Sequence, residues 1–218
     1  MKLEIPAYVD APTLLNEWAL QIKDTQPQKT DELFLLARFF EKADGDLPLA
    51  WPLTVELSEK PDFVVAHGQT LVGIEVTQFR AEQLARAEHL ASQNKSGMVS
   101  TPFDFDSPKR NNQEILKRMP GQQAGLADWT EIGSRVETHT KEMIKVIKKK
   151  THKVVAPATT SCDEIWLLVE DRMYLSNLQV TQMMPRIWKV LNEHDEGPSF
   201  DLILFSLMKE VLGFKRNR

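Results

Sequence analysis

The apolar runs of this chain predict an α/β protein with a mixed central sheet, an antiparallel three-strand meander continued by parallel strands and flanked by helices. Three observations carry that prediction. The runs WPLTVELS, PDFVVAH and TLVGIEVTQF follow one another through connections too short for a crossover, so they pair antiparallel. EIWLLVE and DLILFSLM are apolar on both faces, as strands covered by helices on both sides must be. A long helical stretch separates these last two, which fits a parallel crossover.

The elements follow in order. Leu14 to Ile22 and Leu33 to Phe40 place apolar residues at helical spacing, and Thr30-Asp31 ahead of the second suits a helix start. The GDLP turn, Gly45 to Pro48, closes this helical part, and the three meander strands follow. Arg80 to Gln93 is built from Ala, Glu, Gln and Leu, all good helix formers. Residues 94–130 are rich in Gly, Asn, Gln, Asp and Pro and predict a flexible insertion. Ser134 and Glu137 have the spacing of a capping box, and Val136, Met143, Ile144 and Ile147 line one face of the helix they would open, which ends near Lys150. The strand Glu164 to Glu170, with Trp166 in its core, precedes a helical stretch in which Pro185 marks a break or restart. Asp201 to Met208 forms the last predicted strand.

With 218 residues, of which 42% are hydrophobic, the chain can bury a sizeable core, and a single domain over residues 1–218 is expected. The net charge of -4 excludes a protein that is basic throughout, so contact with nucleic acid must come from a local patch. The lone Cys162 allows neither a disulfide framework nor a cysteine metal cluster and reads as a structural thiol in a reducing compartment. No window approaches the roughly eighteen apolar residues that a membrane helix needs, and MKLEIPAYVD lacks the apolar core of a secretion signal. A cytoplasmic protein without membrane contact is expected. HExxH, GxGxxG, GxxxxGK[ST] and GxSxG are all absent, which removes the simplest zinc-protease, nucleotide-binding and serine-hydrolase readings.

His67-Gly68-Gln69-Thr70 is the turn between the second and third meander strands. With Gly68 and Gln69 as a two-residue loop, Asp62 and Glu75 stand directly opposite on one face, with Cβ atoms about 4.5 to 5.5 Å apart. Two like charges so close require one pKa to rise or a cation to sit between them. Mg²⁺ or Mn²⁺ resolves this naturally, since such hard ions take oxygen ligands from one or two carboxylates, water and substrate phosphates. An ion there can activate water and shield charge at phosphorus, as phosphodiester hydrolysis needs. The plainer alternative places Asp62 in a turn and Glu75 on a solvated face. Ile74 and Val76 around Glu75, and Gly73 at mid-strand, weigh against it.

Pro61-Asp62 and Glu75-Val76-Thr77 resemble the PD and (D/E)xK elements of the PD-(D/E)xK nuclease superfamily. The order helix, three strands, helix, strand, from about residue 30 to residue 170, is similar to that family's restriction endonuclease-like core. The resemblance implies metal-dependent cleavage of nucleic acid, with DNA the expected partner and a homodimer allowed. It implies Asp62 and Glu75 as ligands of Mg²⁺ or Mn²⁺, the Val76 carbonyl as a third ligand, and Glu32 as the acid that many members carry on the preceding helix. Glu41 suits that part less, being near the helix end. Thr77 departs from the pattern, which has Lys there. Members of the family place that lysine on a neighbouring helix, and here Lys141, Lys145, Lys148, Lys149 and Lys150 share one. On a helical wheel the apolar face centres on Val136, Thr140 and Ile147; Lys148 and Lys150 flank it, whereas Lys145 and Lys149 point away. Lysines at a helix end also complement its dipole or contact a phosphate backbone. The competing expectation is a catalytically inactive nuclease-fold module that binds nucleic acid or a protein partner, which the loss of the strand lysine favours. The acids on opposite sides of the sheet, or the chain's own lysine or arginine lodged between them, would end the nuclease reading.

Overall fold

The strands lie in sequence order across one seven-stranded sheet in the computed structural model, which describes residues 1–43, 45–93, 111–118, 132–154, 162–173, 175, 177–193, 200–207 and 210–215. They are β1 (Lys2–Ile5), β2 (Leu53–Leu57), β3 (Phe63–His67), β4 (Thr70–Phe79), β5 (Glu164–Asp171), β6 (Leu202–Ser206) and β7 (Val211–Lys215). β1 to β4 form an antiparallel meander; β4, β5 and β6 run parallel; β7 returns antiparallel to β6. The described helices are α1 (Ala11–Ile22), α2 (Pro27–Ala43), α3 (Glu82–Gln93), α4 (Asn112–Arg118), α5 (Ile132–Val154) and α6 (Asn177–Glu193). The mixed sheet flanked by helices agrees with the sequence.

Two apolar layers cover the sheet, and strand alternation sorts residues between them. Val72, Ile74 and Val76 of β4, with Trp166 and Leu168 of β5, meet Leu33, Leu36 and Phe40 of α2. Phe79, Leu167, Val169 and Ile203 on the other face meet Met143 and Ile147 of α5 and Met183, Met184 and Ile187 of α6. Glu75, between Ile74 and Val76, therefore belongs to the α5 face, and Asp62, next to the α2-facing Phe63, shares it.

Several boundaries differ from expectation. Helix α2 begins at Pro27 rather than after Asp31, since proline loses nothing at a position whose N–H has no helical partner. Thr30 is thus inside the helix, buried, its hydroxyl donating to the Gln26 carbonyl at 3.0 Å. Helix α5 starts at Ile132, so Ser134 is not its cap. Helix α6 runs through Pro185 without restarting. The short edge strands β1 and β7 lack the strong patterns of the central strands, because a strand bonded on one side needs less apolar sequence. Within residues 94–130, α4 is helical; residues 94–110 and 119–130 lie outside the described residues, as does Met208. No described helix is long and apolar enough to cross a membrane.

The hairpin forms as its turn chemistry requires. His67 pairs with Thr70, and Gly68 has φ +58°, a value glycine adopts without steric cost. Gly73 serves a different need. A Cβ there would stand 2.7 Å from both Pro61 Cγ and Ile165 Cδ1, so only glycine lets the Pro61 ring seat against β4 beside Asp62.

Candidate functional site

Phe63 pairs with Ile74 as the last rung of the β3–β4 ladder, which sets Asp62 opposite Glu75 one step beyond it. Both acids are buried, with 7% and 4% of their surface exposed. The Val76 N–H, in place of a ladder bond, donates to Asp62 Oδ2 at 2.8 Å. The Val76 carbonyl leaves the strand on that same side, where the opposite residue is Pro61, which has no N–H to offer it. Two carboxylates thus meet where β3 stops, beside a Val76 carbonyl that the register leaves without a ladder donor.

Lysines reach this point from both layers. Helix α5 delivers Lys150, whose Nζ is 2.6 Å from Glu75 Oε1 and 3.8 Å from Asp62 Oδ2. Helix α2 delivers Lys29, which donates to the Asp62 carbonyl at 3.4 Å and stands 3.6 Å from Asp62 Oδ1. Lys29 also lies 2.8 Å from Glu32 Oε2 and 6.0 Å from the centre of the Phe63 ring. The Lys29–Glu32 contact is a close ion pair without hydrogen-bond alignment, for Glu32 Oε2 has no hydrogen-bond partner. Glu32 Oε1 accepts from Gln28 Nε2 at 3.2 Å. Burial, and then the neighbouring Asp62 charge, push the Glu75 pKa above its ordinary value, while Lys150 pulls it back. Both remedies for an apposed acid pair are therefore present, a raised pKa and a nearby cation.

Of the residues singled out from sequence, Asp62, Glu75, Val76 and Lys150 meet. Lys148 is half-buried on α5 and forms no ion pair with either acid among the described residues. Among the described residues, Glu32 connects to Asp62 through Lys29. Lys145 is paired with Glu142 and largely exposed, and Lys149 is exposed, as the wheel predicts. Lys29 escaped sequence reading. Its only local signal is the i,i+3 spacing to Glu32, common on any helix. Among the described residues no three His, Cys, Asp or Glu side chains gather as a metal cage. A Mg²⁺ site does not need one, because two carboxylates and a carbonyl leave room for water and phosphate oxygens. The groove bordered by Thr138, Lys141, Glu142, Ile144 and Lys145 includes neither acid.

A second polar cluster lies at the C-terminal ends of the parallel strands. Glu170 accepts from Gln78 Nε2 at 2.9 Å and pairs with Arg38 of α2 at 3.0 Å. Lys42, also on α2, donates to the Leu207 carbonyl at 2.6 Å and the Ser206 hydroxyl at 3.2 Å, and burial lowers its pKa. Asp171 accepts the N–H groups of Met173 and Leu175, yet burial raises its pKa to about 6. These contacts tie α2 and the chain after β5 to the sheet.

No family model, curated protein or solved structure matches this chain. The class of the site therefore rests on its own chemistry: a buried pair of carboxylates on one sheet face, flanked by two lysines from helices in opposite layers.

Proposed function

We propose that this chain is a PD-(D/E)xK-type, restriction endonuclease-like protein that hydrolyses phosphodiester bonds of nucleic acid, DNA being the expected substrate, with Mg²⁺ or Mn²⁺. The observation that carries this reading is Lys150, which brings from α5 to the acid pair the ammonium that Thr77 cannot supply. Asp62, Glu75 and the Val76 carbonyl would hold the ion, which supplies charge stabilisation and a more acidic water when bound. Asp62 is aimed by the Val76 N–H through Oδ2, which leaves Oδ1, with Lys29 3.6 Å away, as the oxygen that would act as a ligand. Lys150 orients Glu75 through one oxygen and keeps a positive charge where negative charge builds on phosphorus.

One observation favours the second reading, a catalytically inactive module of the same fold that binds nucleic acid or a protein partner. Each acid already has an ammonium neighbour, Lys150 for Glu75 and both Lys29 and Lys150 for Asp62, the arrangement expected of a self-neutralised structural pair. Lys150 pairs with both acids, 2.6 Å from Glu75 and 3.8 Å from Asp62, which adds to the support for this second reading; in the nuclease reading the divalent ion must displace Lys150 from Asp62. Incubation of plasmid and single-stranded substrates with Mg²⁺ or Mn²⁺ decides between them. Cleavage that requires the metal and disappears in Glu75→Gln and Lys150→Met supports the nuclease; equal traces in all three proteins, with retained nucleic-acid binding, support the module.

A further inference from the structure

We infer that Lys29 is an internal counter-ion of the acid pair that limits how tightly the site takes up a divalent cation, and that Glu32 holds it back from Asp62. This deepens the metal-dependent reading and rests on it. Lys29 sits on the helix layer opposite the one that delivers Lys150. It reaches the site only because β3 ends at Phe63 and leaves Asp62 outside the ladder. Its side chain is 13% exposed and shared unequally, 2.8 Å from Glu32 and 3.6 Å from Asp62.

Asp62, Glu75 and Glu32 carry three negative charges when ionised, and Lys29 and Lys150 carry two positive ones, which leaves one net negative charge to attract a divalent ion. Without Lys29 that net charge doubles. The orientation of Asp62 does not depend on Lys29, since the Val76 N–H holds Oδ2 at 2.8 Å and the Ser58 N–H holds the Asp62 carbonyl at 3.1 Å. Removing Lys29 therefore changes the field more than the shape. A metal ion bound about 2.1 Å from Asp62 Oδ1 would stand within roughly 6 Å of Nζ, and the repulsion at that range is worth about tenfold in affinity at the dielectric of water and low ionic strength. Glu32 works in the opposite sense. Neutralising it removes an acid and lets Lys29 settle on Asp62, so binding weakens.

Mn²⁺ binding to the full chain, read by isothermal titration, tests this without reference to cleavage. Lys29→Met should tighten binding about tenfold at low ionic strength, Lys29→Arg should match the parent, and Glu32→Gln should weaken binding. The Lys29→Met/Glu32→Gln double variant, whose net charge equals the parent's, should return towards the parent value. Lys29→Gln reads the same charge loss if the methionine variant does not fold. Asp62→Asn distinguishes loss of the metal site from loss of the Lys29 effect. Mn²⁺ binding that Asp62→Asn abolishes but Lys29→Met leaves within twofold, or weakens, overturns the counter-ion role alone. A parent protein that binds no Mn²⁺, or binds it as well after Asp62→Asn, overturns the metal site and this inference together.

Discussion

Replacing Lys150 with methionine should destabilise the fold by about 2 to 4 kcal/mol at pH 8. Breaking a buried ion pair by removing one partner costs roughly 3 to 5 kcal/mol, because a charge is left buried and unpaired. Here the remaining charge would be Glu75, whose side chain is 5% exposed, and the lost contact a 2.6 Å charged hydrogen bond. Two features reduce the figure. Lys150 is itself 17% exposed, so part of its field is screened. Glu75, whose pKa is already raised by burial, can also escape by taking a proton. That escape fixes the sign of the pH dependence. Loss of Lys150 raises the folded-state pKa of Glu75 further, so the penalty is absent below the unfolded carboxylate range and grows as pH rises towards the folded value. Chemical denaturation of the parent, Lys150→Met, Glu75→Gln and the double variant at pH 5 and pH 8 reads the whole effect. The double variant should recover at least about 1 kcal/mol relative to the sum of the singles. A Lys150→Met penalty below about 0.5 kcal/mol at pH 8, or one that is equal at both pH values, would refute a buried and coupled pair.

Gly73→Ala should cost about 1 to 3 kcal/mol, read by thermal melts, because the added methyl would stand 2.7 Å from Pro61 and Ile165; it should also weaken Mn²⁺ binding by shifting Asp62. Asp171, at about 6 rather than 3.8, favours the folded state below pH 4 and withdraws up to roughly 3 kcal/mol as pH rises through 6, with Lys42 and His139 opposing the shift. A denaturation series from pH 4 to pH 7 should show this loss, and Asp171→Asn should flatten it. Lys42→Met should cost about 1 to 3 kcal/mol in the same assay, since the Leu207 carbonyl and Ser206 hydroxyl lose their donor.

The β3–β4 hairpin and its two acids were readable because they depend on neighbours in the chain. A glycine with positive φ defines the loop, the loop defines the register, and the register puts Asp62 opposite Glu75. Lys150 was singled out because the family resemblance calls for a lysine that Thr77 does not supply, and helical periodicity places it at the edge of the apolar face of α5. Lys148 passes the same angular test but forms no pair with the acids, so the wheel narrows the choice without completing it.

Lys29 obeyed no such rule. Thirty-three residues separate it from Asp62, and neither its helix nor its spacing marks it as part of the site. Only the packing of α2 across the opposite face of the sheet, together with the early end of β3, brings its ammonium to the carboxylate. Lys42 and Ser206, 164 residues apart, meet for the same reason. Periodicity, turn residues and β-branched runs act over a few residues, and they determined the order of elements, the mixed sheet and the shared face of the acids. Which helices cover each face, and so which cations stabilise the buried charges, was decided by tertiary packing, because a side chain's long-range partner depends on how whole layers settle and not on the residues beside it.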